Sequence, residues 1–300
     1  MCTIRIVKRQ DIDPRQWDIL LEQSHFAHPC LRSAYLDIVC PDWCALVMGD
    51  WDAAVPVATK RKFGVKYAYQ PAFVQQMGCI SRDSIAIDPF ISVLKKEFSL
   101  IEITGNESDI FAGKQALRRN FCLDIGQQYA EIRAGYTEYA LQNIKKINAD
   151  ILTLTTVEDS GRAIRFFKDN NDKNQFSKQD FQILKRLIDN PNKTSSKCYE
   201  VIDKEGNTIC LSLITSAMNR HVYTVSTVTE IGRNMRATFF LIDQFIQQHC
   251  GTNGAVFDFE GSNISGVARF FASFGATDRP YPFFRINNLP WALGLIKRYL

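Results

Sequence analysis

The chain has 300 residues, 46% hydrophobic and 23% charged, with a formal charge of +4. This composition argues against disorder, the length favours two domains, and the mild charge permits a polyanionic partner such as tRNA without requiring one. No apolar run approaches membrane-spanning length and the start has no signal-peptide core, so a cytoplasmic protein without an integral membrane segment is expected.

In chain order, residues 3–7 alternate as a strand, and Asp13-Pro14-Arg15-Gln16 opens a helix with Asp at the N-cap and Pro at N1. A second helix is expected from Leu31 to Ile38. Strands near 43–48, 53–61 and 65–70 follow, with Gly49-Asp50 and Phe63-Gly64 at their turns, which is the pattern of an antiparallel meander. Asp88-Pro89 caps a helix, a strand covers 100–104, and a helix near 112–119 with strands near 121–125 and 129–133 completes the first half.

A helix from Thr137 to about Asn148 links to a second half with the same order. It has a strand at 151–156, helices at 160–169 and 178–189, and a meander at 198–203, 208–217 and 221–228. A helix at 236–249, a strand at 255–260, a helix ending at Gly275, a strand near 282–287 and a helix from Pro290 onward follow. Repetition of one element order is an internal repeat of domain size, so the expected domains are 1–150 and 151–300. Glu102-Ile-Thr-Gly-Asn106 falls where Asp258-Phe-Glu-Gly-Ser262 falls in the second half.

Asp258 and Glu260 alternate with Phe257 and Phe259, so both carboxylates are expected on one face of a strand. After them come Asn263, Ala268, Phe270-Phe271 and Gly275-Ala276. This block and the order of elements resemble the GNAT superfamily of acyl-CoA N-acyltransferases. Doubled in one chain, they resemble the Fem family of peptidoglycan aminoacyltransferases and related bacterial acetyltransferase-like proteins. The resemblance implies an α+β fold of two tandem GNAT-like domains, each a mixed, mostly antiparallel sheet flanked by helices. It implies transfer of an acetyl or aminoacyl group to the amine of a small molecule or peptide, with acyl-CoA or aminoacyl-tRNA as donor and the cleft in the second domain.

Within that resemblance, Glu260 or Asp258 is expected as general base, and Tyr223, Thr227, Arg233, Arg236, Ser262, Asn263 and Arg269 as substrate- or cofactor-binding residues. The bland alternative is that one carboxylate caps the next helix or pairs with Arg269. Two departures stand out. Gly232-Arg-Asn-Met-Arg-Ala-Thr238 puts Arg236 where the superfamily's diphosphate loop has its central glycine, and Phe271 occupies the place of a tyrosine acid. These favour the alternative of a catalytically degenerate protein that binds a ligand or partner.

The nine cysteines are scattered without a CxxC pair, which fits a reducing compartment. His25, His28, Cys30, Cys40 and Cys44 match no common zinc spacing, so no metal is expected. The basic clusters Lys60-Arg-Lys62 and Arg118-Arg119 come with no compact basic-aromatic motif, and no DNA partner is expected.

Overall fold

The computed structural model describes residues 3–62, 64–112, 115–171, 176–261 and 263–289. Two compact units divide the chain, one from Met1–Arg118 with Pro280–Leu300, the other from Arg119–Arg279. The first unit begins with β1 (Ile4–Lys8), α1 (Pro14–Glu22) and α2 (Ser33–Val39). β2 (Cys44–Met48), β3 (Ala53–Lys62) and β4 (Val65–Tyr69) form the expected meander. β5 (Ile80–Ser81), α3 (Asp88–Glu97), β6 (Leu100–Thr104) and β7 (Ala116–Arg118) follow.

The second unit contains β8 (Phe121–Asp124), α4 (Tyr129–Ala134), α5 (Glu138–Lys145), β9 (Leu152–Val157), α6 (Ser160–Asn170), α7 (Lys178–Asp189) and α8 (Pro191–Thr194). Its meander is β10 (Ser196–Asp203), β11 (Thr208–Ala217) and β12 (Arg220–Val228). Then come α9 (Glu230–Asn234), α10 (Ala237–His249), β13 (Val256–Asp258), α11 (Ser265–Ala272) and β14 (Thr277–Asp278). The chain finally returns to the first unit as β15 (Tyr281–Asn287).

The units are mixed sheets with flanking helices, ordered β1-β2-β3-β4-β6-β15-β7 and β14-β8-β13-β12-β11-β10-β9. Among the described strands, the parallel pairs are β4 with β6 and β12 with β13. Three expectations change here. The division does not fall at residue 150, because each sheet takes a strand from the other half of the chain. β15 pairs with β6 and β7, while β8 pairs with β13. The expected helix near 112–119 gives way to β7, an exposed edge strand held by β15. The expected strand at 129–133 is α4. Its alternating pattern is overridden by a capping box in which Gln128 and Glu131 each take the other's backbone N–H. The expected helix from Pro290 lies outside the described residues.

The core of the second unit is rich in rings. Phe239, Phe245, Phe257, Phe259, Phe271 and Phe274 are buried together between the sheet and its helices. Gly275 closes the turn after α11 at φ 80°, and a Cβ there would lie 2.8 Å from Gly135 O, so this position needs glycine twice over. No helix of the described residues is long and apolar enough to cross a membrane.

Candidate functional site

In each unit the parallel strands part at equivalent residues. β12 and β13 pair as Arg220 with Val256, His221 with Phe257 and Val222 with Asp258, and no further. Beyond this point the chain after β13 holds to β8. Phe259 N–H donates to Phe121 O at 2.9 Å, and Phe121 N–H donates to Glu260 O at 3.0 Å. On the other side, β12 carries an extra residue against β11. Leu213 faces Val225 and Ile214 faces Tyr223, so Thr224 bulges. A bulge bends and twists its strand. The two strands therefore diverge, with Glu260 two residues past their last pair.

The first unit has the same arrangement with different chemistry. β4 and β6 end their pairing at Tyr69 and Glu102, so Thr104 stands where Glu260 stands in the second unit. Gln70 Oε1 accepts the Thr104 N–H at 2.9 Å, and Thr104 Oγ1 lies 2.8 Å from that oxygen and 2.7 Å from Gln75 O. Gln76 is fully buried and accepts the Glu107 N–H. The glutamine-rich segment thus fills the first gap with its own hydrogen bonds. The second gap holds a carboxyl group.

That carboxyl group is held under strain. Glu260 has φ 58°, a left-handed conformation that costs an ordinary residue roughly 1–2 kcal/mol. Its Oε1 is shielded from solvent. Burial, and then the neighbouring Asp258 charge, push its pKa well above the usual carboxylate value. Strained backbone concentrates at functional sites, which makes this outlier informative.

Asp258 has a different position. Its side chain is 0% exposed, and Oδ2 lies 2.9 Å from Nη1 of Arg220, itself 9% exposed. Asp258 Oδ1 accepts the Glu260 N–H at 2.8 Å. A buried ion pair of this kind fixes geometry, and here it fixes the peptide that aims Glu260. Arg220 was not among the residues singled out in the sequence. The pair spans 38 positions, and no local pattern marks it.

The remaining candidates scatter. Tyr223 is buried against Phe257, Phe259 and Phe271, with its hydroxyl 3.3 Å from Ser212 Oγ. Thr227 donates its hydroxyl to Asn170 O and is also buried. Arg233 is exposed and donates to Val228 O. Arg236 is the residue before α10, at φ 59°, and its guanidinium donates to Asn143 Oδ1 on α5 and to Asn234 O. The structure thus keeps the left-handed backbone that glycine favours, but a tethered arginine side chain occupies the turn. Asn263 is exposed, and Ser262 lies outside the described residues. Arg269 is exposed on α11 and has no ion pair among the described residues, so the expected alternative of a carboxylate partner is not formed. Phe271 packs 5.0 Å from Phe259, ring to ring, as part of the core.

Arg269 also lines a cavity of about 490 Å³ between α5 and α11. Among the described residues no group of three or more His, Cys, Asp or Glu side chains is placed to hold a metal ion.

No protein-family model matches the chain, and no curated protein matches it. Solved structures do. FemX aligns over 95% of this chain and 98% of its own, at 11% identity and a TM-score of 0.67. A conserved protein of unknown function from Bacteroides thetaiotaomicron VPI-5482 aligns over 96% and 100%, at 11% identity and a TM-score of 0.61. The C-terminal domain of a putative lysylphosphatidylglycerol synthetase from Agrobacterium fabrum aligns over 95% of each chain, at 11% identity and a TM-score of 0.58. This likeness is one of fold, and the fold is α+β with two tandem GNAT-like units, similar to that of FemX.

Proposed function

We propose that the chain is an acyltransferase that moves an acetyl or aminoacyl group to an amine, with its working gap between β12 and β13. The observation that carries this reading is Glu260, a strained and shielded carboxyl group at the point where the strands diverge. The fold shared with FemX and with a putative lysylphosphatidylglycerol synthetase domain supports the same reaction class.

In the reaction, the acceptor amine attacks the donor's acyl carbonyl, forming a C–N bond. Glu260 takes a proton from the attacking amine. A carboxyl group whose pKa is raised by burial is a stronger base than an ordinary one, and once protonated it gives that proton to the leaving oxygen or sulfur. One group thereby does the work of a base and of the tyrosine acid that Phe271 replaces. Arg220 and Asp258 hold the Glu260 peptide from buried positions.

An aminoacyl-tRNA donor suits the turn before α10 better than an acyl-CoA. A diphosphate cradle needs bare backbone N–H groups, and the Arg236 side chain with its tie to Asn143 stands at that turn. A second reading, a ligand-binding protein without chemistry, is favoured by Phe271 and by Arg236 in the place of the loop glycine.

The test is acyl transfer to a panel of amines from charged tRNA and from acyl-CoAs. Wild-type turnover that falls by about two to four orders of magnitude in Glu260→Gln supports the transferase reading. Binding of a donor with no transfer to any amine would support the second one.

A further inference from the structure

At one end of the first unit the sheet runs out into a bare basic hairpin. β3 is buried from Ala53 to Ala58, and Lys60, Arg61 and Lys62 at its end are exposed. The register explains the change. β2 stops beside β3 at the pair of Cys44 with Val57, and β6 joins β4 only from the pair of Tyr67 with Leu100. The last rungs of the hairpin, Arg61 with Lys66 and Lys62 with Val65, therefore lie beyond both neighbouring strands. Arg61 and Lys66 stand directly opposite each other, and like charges in that relation cost stability. No acid occurs between Asp52 and Asp83 to offset them. A breach of a local rule with no compensation inside the fold is a mark of a functional surface.

The same end carries a cavity of about 690 Å³, within the range of roughly 300–1,000 Å³ common for lipid-sized and smaller ligands. Ile6, Pro41, Trp43 and Cys44 give it an apolar lining, and Lys8 of β1 and Lys66 of β4 give it cations. Arg9 is already taken by Asp37, at 2.5 and 2.7 Å. Lys66 reaches Glu97 at 3.8 Å, with the two side chains 42% and 44% exposed, and so loose a surface pair holds little. Lys8 and Arg61 are exposed and have no ion pair among the described residues, and Asp42 is the other acid on the wall. α3 ends here as well. Ser99 N–H donates to Lys66 O at 3.1 Å, and Lys95 and Lys96 in the last turn of α3 are exposed. Cations around an apolar recess suit an anion that carries hydrocarbon.

We propose that this end of the first unit docks on a bilayer surface bearing anionic phospholipid, with the phosphate of one lipid between Lys8 and Lys66 and its glycerol and first acyl carbons against Ile6 and Pro41. Clusters of about four to eight basic residues hold a protein to such a surface by charge alone. Apart from Arg9 and Arg61 the cations here are lysines, compact charges that suit a diffuse lipid surface. RNA recognition draws more on arginine forks and on open rings that stack with bases. The rings beside these lysines, Tyr69 and Phe98, are covered by Lys60 and Lys66 at 4.4 and 4.5 Å. The inference does not rest on the acyl-transfer reading.

The test is co-sedimentation of the full chain with vesicles of phosphatidylcholine alone and of phosphatidylcholine mixed with phosphatidylglycerol. The chain binds the mixed vesicles and not the neutral ones, and raising the salt releases it. Arg61→Glu and Lys8→Glu each lower the partition coefficient by about tenfold or more. The melting temperature of Arg61→Glu holds or rises, because the new acid faces Lys66 across the hairpin. Lys178→Glu, the same change of charge on an exposed residue of α7 in the second unit, leaves binding as in wild type. Equal binding to both kinds of vesicle, or to neither, overturns the proposal. So does an equal loss in all three variants, which would reduce the effect to net charge. Uncharged tRNA is the remaining arm. Binding of tRNA that Arg61→Glu and Lys8→Glu abolish, with no binding to the mixed vesicles, gives the surface to RNA and also overturns the proposal.

Discussion

Arg220 Nη1 lies 2.9 Å from Asp258 Oδ2, and the other oxygen of the same carboxylate takes the Glu260 N–H. One buried ion pair thus connects the first residue of β12 and the last paired residue of β13 to the strained residue beyond them. Removing one partner leaves an uncompensated buried charge. Arg220→Met is expected to cost about 3–5 kcal/mol in urea unfolding. Arg220→Met combined with Asp258→Leu should recover much of that loss, because neither charge is then buried alone. A single variant that unfolds like wild type would mean that the pair contributes nothing to the gap.

The Glu260 pKa carries a sign that can be checked by thermal unfolding. A carboxyl group with a higher pKa folded than unfolded binds more protons in the folded state between the two values. Stability is then lost as pH rises above the ordinary carboxylate pKa toward the folded one. Glu260→Gln should therefore be more stable than wild type at pH near neutral, and the difference should shrink on acidification. Asp109 in the first unit adds to the same slope, since burial pushes its pKa up to about 7 although it accepts N–H groups from Cys79 and Asn106. A stability curve for Glu260→Gln parallel to wild type from acid to neutral pH would contradict the shift.

Two left-handed residues invite opposite substitutions. Arg236→Gly relieves backbone strain of roughly 1–2 kcal/mol but gives up the hydrogen bond to Asn143, so the net change in stability should stay within about 1 kcal/mol. Gly275→Ala gains nothing in return. It meets the same strain and an oxygen 2.8 Å from the new Cβ, and it should cost about 2 kcal/mol or more. Urea midpoints of the two variants that moved equally would undo this assignment.

The first unit's gap makes a prediction about what does not matter for turnover. Gln70→Ala leaves the Thr104 N–H without its acceptor in a buried place, at about 1–3 kcal/mol. Acyl transfer measured below the new melting temperature should keep its wild-type kcat, because that gap is filled by the chain's own hydrogen bonds. A selective drop in kcat there would assign chemistry to the first unit.

Much of the architecture was legible in residue order. The meander strands, the capped helices at Asp13 and Ser177, and the glycine-ended helix all follow from patterns a few residues long, whereas Asp88, expected as a cap, is the first residue of its helix and takes the Ala112 N–H instead. Where two local signals competed, the wrong one was read. Tyr129-Ala-Glu-Ile-Arg alternates like a strand, but the Gln128–Glu131 capping box wins. The division of the chain was hidden because β8 and β15 each join a sheet built from distant residues. The site was half visible. Glu260 stood out as an alternating carboxylate, but its left-handed backbone and its support from Arg220 arise only when strands far apart in sequence are brought side by side.

The most direct measurement is the pH dependence of kcat/KM for acyl transfer from charged tRNA, in wild type and in Glu260→Gln. Wild type should show an ionisation above the ordinary carboxylate range, and this ionisation should disappear in the variant along with most of the activity. A variant that keeps wild-type rates and the wild-type pH profile would contradict it.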